Sequence, residues 1–376
     1  MRGFAFAILI AALLMTLPVF ATRQTVTLPE EEWEIFEGTI PDEIKDRLPS
    51  EALDGDEGFF ASVEEMSSAE YVMGVILDVL GDKLGGALKL MVVILALLLI
   101  SSVFCAMGDG MENSSLSSAM RFCSVGAVIS VVVSVQYSHF EMLESFFEKL
   151  GAMMNGMVPV VAGIWAMGGN VSTASSGSAT LYVMLTVSRE IWSKTVIPVC
   201  CALTVLGFCD ALSDEVKTSK IMSAVKKIYN FLLALVMTVL LSALSAQTTL
   251  AASADTTAAR AAKLVSGTVI PVVGGSVGET FRTLAASVSY LKGVLGVGGI
   301  VMIAILALPV LISTLLTRFV FLICAGIADM LGCQGEAKLL ENLGESYGIL
   351  VAVVSGVGIM FVLSLCIFMQ TVVAIA

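Results

Sequence analysis

The fold class this sequence predicts is all-α: a polytopic helical membrane protein of about six transmembrane helices in tandem parallel-type repeats, behind an N-terminal signal peptide. Three observations predict it. Hydrophobic residues make up 57% of the 376 residues and charged ones only 14%, against about 25% charged in ordinary soluble domains. The apolar residues gather into runs long enough for a bilayer, which needs about 20 per helix. Landmark residues then recur at near-constant spacing through those runs.

Taken in order, residues 1–21 read as a secretory signal. Arg2 supplies the positive start, Phe4 to Leu17 the apolar stretch and "VFA" (Val19 to Ala21) the small-residue cleavage site. An uncleaved first transmembrane helix is the other reading. Cleavage places the mature N-terminus outside the cytoplasm. Residues 22–66 form an acidic extracytoplasmic segment. Between Thr22 and Lys83 there are 17 acidic and 4 basic residues, so this block accounts for the chain's net charge of −12. It reads either as a solvated linker or as a docking surface, and its sign makes neither nucleic acid nor an anionic membrane surface an obvious partner; no nucleic acid partner is expected. Residues 67–86 predict an amphipathic interfacial helix. It opens on a capping box, Ser67 to Glu70, and Val72, Val75, Ile76 and Val79 recur at helical spacing.

Residues 87–376 form the polytopic membrane domain, with the lipid bilayer as its first partner. Spans fall near 88–107, 120–138, 181–209, 228–250, 294–330 and 346–374. The fifth would exceed ~50 Å at ~1.5 Å per residue, so with Pro309 inside it the segment is kinked, protrudes or folds back as two half-spans. Loops near 108–119, 210–227 and 331–345 are then cytoplasmic. The second carries Lys217, Lys220, Lys226 and Lys227, as the positive-inside rule requires.

Internal repetition is anchored on "GMVPVVAG" (Gly156 to Gly163) and "GTVIPVVGG" (Gly267 to Gly275). Pro159 and Pro271 are 112 residues apart, Pro198 and Pro309 are 111, and Gln136 and Gln247 are 111. "GFCDAL" from Gly207 also matches "GIADML" from Gly326. These landmarks predict three units, approximately 87–180, 181–293 and 294–376, each a span, a cytoplasmic turn and a return span. Proline removes a backbone donor, and such backbone survives at membrane depth only where protein buries it or water lines it. Each proline-centred element is therefore either a surface elbow or a pore-lining re-entrant segment. Pro159, Pro198, Pro271, Gly274, Gly275, Pro309 and Arg318 are the candidate pore or hinge residues. Arg318 lies inside a span, where an ionisable group is functional by default, unless it snorkels to the interface.

Asp109, Asp210 and Asp329 each close the first span of a unit, which suggests capping of the following turn or contact with a partner; Lys217 and Lys220 are candidates for the same partner-facing role. Eight cysteines and one histidine, His139, form no metal-ligand spacing. His139 is expected at the edge of a span. No nucleophile–base constellation or phosphate loop ending appears, so neither an enzyme nor a cofactor is expected.

The stretch from Ser242 to Gly299 resembles the central signature of the stage III sporulation protein AE family of endospore-forming bacteria. The resemblance rests on Gln247, Thr249, Ala254-Asp255, Arg260, Ala262-Lys263, Ile270 to Gly275 and Leu291-Lys292. The chain departs from the family at "DTTA" from Asp255, where the family has a "DGVT" turn, so the resemblance implies no turn there. The resemblance implies a multi-pass component of the mother-cell membrane around the forespore. Its implied partners are the other stage III sporulation A-operon proteins, an ATPase among them, and stage II sporulation protein Q. Together they are expected to form a conduit sustaining forespore development and late transcription, with homo-oligomerisation a further expectation. A stand-alone secondary transporter is the alternative.

Overall fold

The computed structural model describes residues 30–53, 55–109, 114–212, 218–269, 274–371 and 373. The predicted signal peptide, Lys217 and Pro271 lie outside these residues. Three short helices come first: α1 (Glu30–Thr39), α2 (Asp42–Lys45) and, after a 3-10 turn at Ser50–Leu53, α3 (Gly55–Met66). Six long ones follow: α4 (Ala69–Asp109), α5 (Ser114–Met167), α6 (Val171–Leu212), α7 (Ser219–Val269), α8 (Gly274–Met330) and α9 (Gln334–Gln370). Among the described residues there is no strand. Six helices are long and apolar enough to cross a membrane, so the all-α, six-span expectation holds.

The helices outrun a bilayer. They contain 37 to 57 residues, roughly 55–85 Å at ~1.5 Å per residue, against a hydrocarbon core of about 30 Å. The fifth span is therefore one protruding helix, α8, and does not fold back. Pro309 sits inside it, and losing one hydrogen bond in 57 residues does not end a helix held by packing on several sides. Successive long helices run antiparallel. The ends of α4, α6 and α8 and the starts of α5, α7 and α9 mark what we term the near end, where Ser101 and Ser124 meet Glu336 and Asp210 meets Thr218. The opposite helix ends, with α1–α3, form the far end. The predicted loops at 108–119, 210–227 and 331–345 shrink accordingly, because most of those residues are already helical. At the last, Gly332 takes φ +80°, which a Cβ disfavours, and Cys333 N–H closes on the Ala328 carbonyl at 2.9 Å.

α8 is the axis of the fold. Every residue from Leu291 to Leu308 is buried, packed by α9, α4, α5 and α3. Three glycines make that crowding feasible. A Cβ on Gly296 would stand 2.3 Å from Met369, one on Gly298 2.7 Å from the Phe59 ring, and one on Gly299 2.8 Å from Leu365 and 2.9 Å from Met157. By contrast, only 17% of the most apolar window of α4 and 6% of that of α7 is buried, which leaves these two helices facing lipid.

The acidic segment is a folded cap, which corrects the linker reading. Trp33, Phe36 and Phe59 stack with ring centroids 5.6–5.8 Å apart and are buried against α5 and α8, while Glu34, Asp42, Asp46, Glu64 and Glu65 stay exposed. Burying three aromatic rings supplies the apolar area that a highly charged segment otherwise lacks. Thr39 occupies the space where a Gly156 Cβ would fall, at 2.1 Å. The helix predicted at 67–86 is present as the first half of α4 and is continuous with the span. Its cap is Ser68, whose hydroxyl accepts the Tyr71 N–H at 3.1 Å, one residue later than the capping box placed it. Val75 and Val79 are buried, as its apolar stripe requires, whereas Leu80 and Leu84 are exposed.

Candidate functional site

Several buried polar side chains cluster inside the bundle, and three of these groups join helices within it. The first joins α5, α8 and α9. His139 is 6% exposed; its Nδ1 lies 2.9 Å from the Val135 carbonyl, so that nitrogen carries the proton. Nε2 then accepts from the Ser313 and Thr317 hydroxyls, at 3.2 and 3.3 Å. The Tyr347 ring packs edge-on against the imidazole, with centroids 5.3 Å apart. His139 therefore lies where three helices meet. One turn earlier on α5, Gln136 and Thr204 of α6 form the second group, with Nε2 donating to Oγ1 at 2.8 Å.

The third group joins α4, α5 and α9 towards the near end. Glu336 is 1% exposed. Its Oε1 accepts the hydroxyls of Ser101 and Ser124, the latter at 2.6 Å, and its Oε2 is buried with no hydrogen-bond partner. Residues 331–345 read as a loop, which hides Glu336; Ser101, beside Ser102, and Ser124 are the available signal as polar positions in otherwise apolar stretches. Arg318 lies half-buried on α8 with its guanidinium against Gly348 of α9, and its Nε is buried without a partner. Lys226 of α7 pairs with Glu345 of α9 at 2.8 Å, clasping those helices below the spans.

The remaining candidates disperse. Pro159 and Pro198 lie within α5 and α6 on exposed faces. "GMVPVVAG" is thus continuous helix, which corrects its reading as an elbow or re-entrant segment: Met157, Val160 and Val161 face the core and hold the turn around the proline. Pro309 is half-buried in α8. Gly274 and Gly275 open α8. Asp210 accepts the Thr218 N–H and hydroxyl, both at 3.0 Å, and so ties the end of α6 to the start of α7. Asp329 and Lys220 are exposed, and α4 ends at Asp109. The residues paired by repeat spacing differ in surroundings, since Gln136 is buried and Gln247 exposed.

Two residues of the far end act as joints between helices. Asp255 lies inside α7, since residues 219–269 are continuously helical. Its carboxylate caps α6, accepting the N–H groups of Ser172 and Thr173 at 2.9 Å each and the Thr173 hydroxyl at 2.8 Å. Lys292 of α8 is 3% exposed; it donates to the Thr371 carbonyl at the end of α9 and lies 5.9 Å from the Phe368 ring centroid. A carboxylate at a helix start and an ammonium at a helix end both complement the macrodipole. In the cap, Lys149 of α5 hydrogen-bonds to Glu43 and holds that carboxyl below its usual range, against the opposing effect of partial burial. Among the described residues no group of His, Cys, Asp and Glu could hold a metal.

Comparison with known proteins follows this architecture. The family described as Stage III sporulation protein AE matches residues 58–372. Stage III sporulation protein AE of Bacillus subtilis (strain 168) is 21% identical over 335 residues, which are 88% of this chain and 80% of that one. No solved structure matches.

Proposed function

The chain belongs to the Stage III sporulation protein AE family, and on that basis we propose that it is an integral membrane subunit of a mother cell–forespore channel complex, scaffolding the membrane passage rather than enclosing it within one chain. The observation that carries this reading is the buried axis: 89% of the most apolar window of α8 is buried, where a single-chain pore would need water. The cavity between α5, α6 and α9 measures about 10 Å³, at or below the room one water needs. Pro159 and Pro198 point away from that axis. The folded acidic cap and the protruding far ends supply docking surface instead, outside the mother-cell membrane in this reading. The other stage III A-operon proteins, including the ATPase, and stage II sporulation protein Q are the proposed neighbours.

Proteoliposomes test it. The purified chain alone is expected to give no ion conductance, and deletion of residues 30–66 is expected to abolish recruitment into the complex while leaving membrane insertion intact. Conductance by the chain alone, reduced in Arg318→Leu, would refute the scaffold reading and restore a single-chain pore. One observation favours the alternative of a stand-alone transporter: ionisable His139 and Glu336 are both buried within the bundle. Saturable solute uptake by the isolated protein would select it.

A further inference from the structure

The first half of α4 carries a face that its own chain leaves uncovered. Met73, Leu77, Leu80, Leu84 and Leu88 are 36–58% exposed and recur at helical spacing, so they form one ridge. Beside the ridge run Gly74, Gly81 and Gly85, although glycine weakens a helix interior. The glycines of α8 are crowded by neighbouring side chains, but a Cβ on any of these three would meet nothing within 4 Å. Small residues permit the close approach of another helix, and none among the described residues makes that approach.

The glycine side opens onto a groove of about 720 Å³ between α4 and the chain at and just after α2. Val75, Leu77 and Gly81 give the groove an apolar floor, and Glu43, Asp46, Asp78 and Asp82 give it an acidic rim. Its walls are tied together. The Tyr71 hydroxyl donates to the Arg47 carbonyl at 2.6 Å, and the Arg47 guanidinium meets Asp82 at 3.4 Å. Arg47 is the one cation of the lining among the described residues; Lys45 and Lys83 lie outside it. Lys149 answers Glu43, whereas Asp46 and Asp78 have no ion pair among the described residues.

These charges choose the occupant. Carboxylates on the rim keep acyl chains out of the groove and repel anionic headgroups. A second copy docking through the same face is disfavoured by geometry: copies in one bilayer share an orientation, so their α4 helices would meet with Asp78 facing Asp78. We propose that the groove docks an amphipathic helix of a different protein. That helix sets small and apolar residues against Leu77 and Gly81, and lysine or arginine against Asp46 and Asp78. This rests on the scaffold reading and deepens it by giving the partner's chemistry.

The test places the photo-crosslinking amino acid benzoylphenylalanine at position 77 of the full-length protein, in cells assembling the complex, and maps both halves of the adduct by mass spectrometry. The expected adduct joins position 77 to one segment of a different protein whose lysines and arginines outnumber its acids. Reversing the rim with Asp46→Lys and Asp78→Lys is expected to cut the yield about tenfold or more, as is filling the notch with Gly81→Leu. All three positions are exposed, and leucine is the better helix former, so the fold is kept. Glu34→Lys with Glu51→Lys, an equal charge change at exposed sites outside the groove, is expected to leave the yield unchanged. No adduct, an adduct to a second copy, or one to a segment without net positive charge would overturn the proposal. So would a yield that either groove variant leaves unchanged, or an equal loss in the Glu34 and Glu51 variant. The scaffold reading is decided separately. Recruitment lost on deleting residues 30–66 with no adduct at position 77 would remove the groove alone, and conductance by the chain alone with the adduct intact would remove the scaffold alone.

Discussion

Replacing Asp255 with alanine removes the acceptor that joins α7 to the start of α6. Three donors converge on that carboxylate: two backbone N–H groups at 2.9 Å and the Thr173 hydroxyl at 2.8 Å. Thr173 is 0% exposed and Asp255 5%, so the Thr173 N–H cannot turn to water, whereas exposed Ser172 can. Loss of a helix cap costs about 0.5–2 kcal/mol, and a stranded buried donor costs about 1–3 kcal/mol. Because Ser172 recovers part of its share, Asp255→Ala is expected to destabilise by about 2–3 kcal/mol. Asparagine keeps one oxygen but turns an NH2 towards the other donor, so Asp255→Asn is expected to cost about half as much. Thr173→Val removes only the hydroxyl contact, for about 1 kcal/mol. Thermal unfolding of the purified protein in detergent gives the order, and hydrogen exchange at 171–175 localises it. Asp255→Ala within about 0.5 kcal/mol of the parent, a surface-substitution value, would refute the joint.

Three further outcomes follow from the same contacts. Gly298→Ala drives a Cβ to 2.7 Å from Phe59 and is expected to cost about 1–3 kcal/mol, with most of the loss recovered when Phe59→Leu is added; thermal unfolding of the two single variants and the double variant measures the coupling. Lys292→Met strands the Thr371 carbonyl, about 1–3 kcal/mol, and should appear as faster exchange and proteolysis confined to the last turn of α9. The Glu43–Lys149 pair lowers the Glu43 carboxyl below its usual value of 4.5; its stabilisation is therefore complete above that pH and is lost as pH falls through the depressed value. Since the pair is half exposed, Glu43→Gln should cost no more than about 1 kcal/mol at neutral pH, less in high salt and nothing in strong acid, as read by thermal melts across pH.

Hydropathy made the spans legible because lipid imposes one demand on every position of a run, and that demand is visible in composition alone. It could not mark where a helix stops. Residues 331–345 carry Glu336, Lys338, Glu341 and Glu345, so they read as a loop. Residues 334–345 are nevertheless helical, and neighbours reach two of the charges: serines from α4 and α5 meet Glu336, and Lys226 from α7 meets Glu345. The first proline-centred element, around Pro159, misled for a related reason. Pro159 lacks an N–H, but Met157, Val160 and Val161 are held in the core on either side, and tertiary packing outweighs the few kcal/mol that proline costs a helix. The acidic segment hid its fold in three aromatic residues spread over 27 positions of strongly negative sequence, a spacing too wide for any local pattern to register.

The residues that made the chain resemble its family serve the joints between helices more than any chemistry. Asp255 starts α6 from α7, Lys292 finishes α9 from α8, and the glycines just after Lys292 seat α3, α5 and α9 against the axis. The physics of the setting explains why the constraint falls there. Lipid tails are as apolar as leucine, so the exposed faces of α4 and α7 gain little from choosing one apolar residue over another, and helix registry must come from close approach and hydrogen bonds. Each joint lies at or beyond the far edge of the predicted spans, where the helices leave lipid and water can compete for any poorly made contact. Far-end geometry is thus fixed by a few buried polar groups and glycines. The acidic cap sits on that same framework through Thr39 on Gly156 and Phe59 on Gly298, so a change at either glycine displaces the docking surface without touching a residue that a partner would meet.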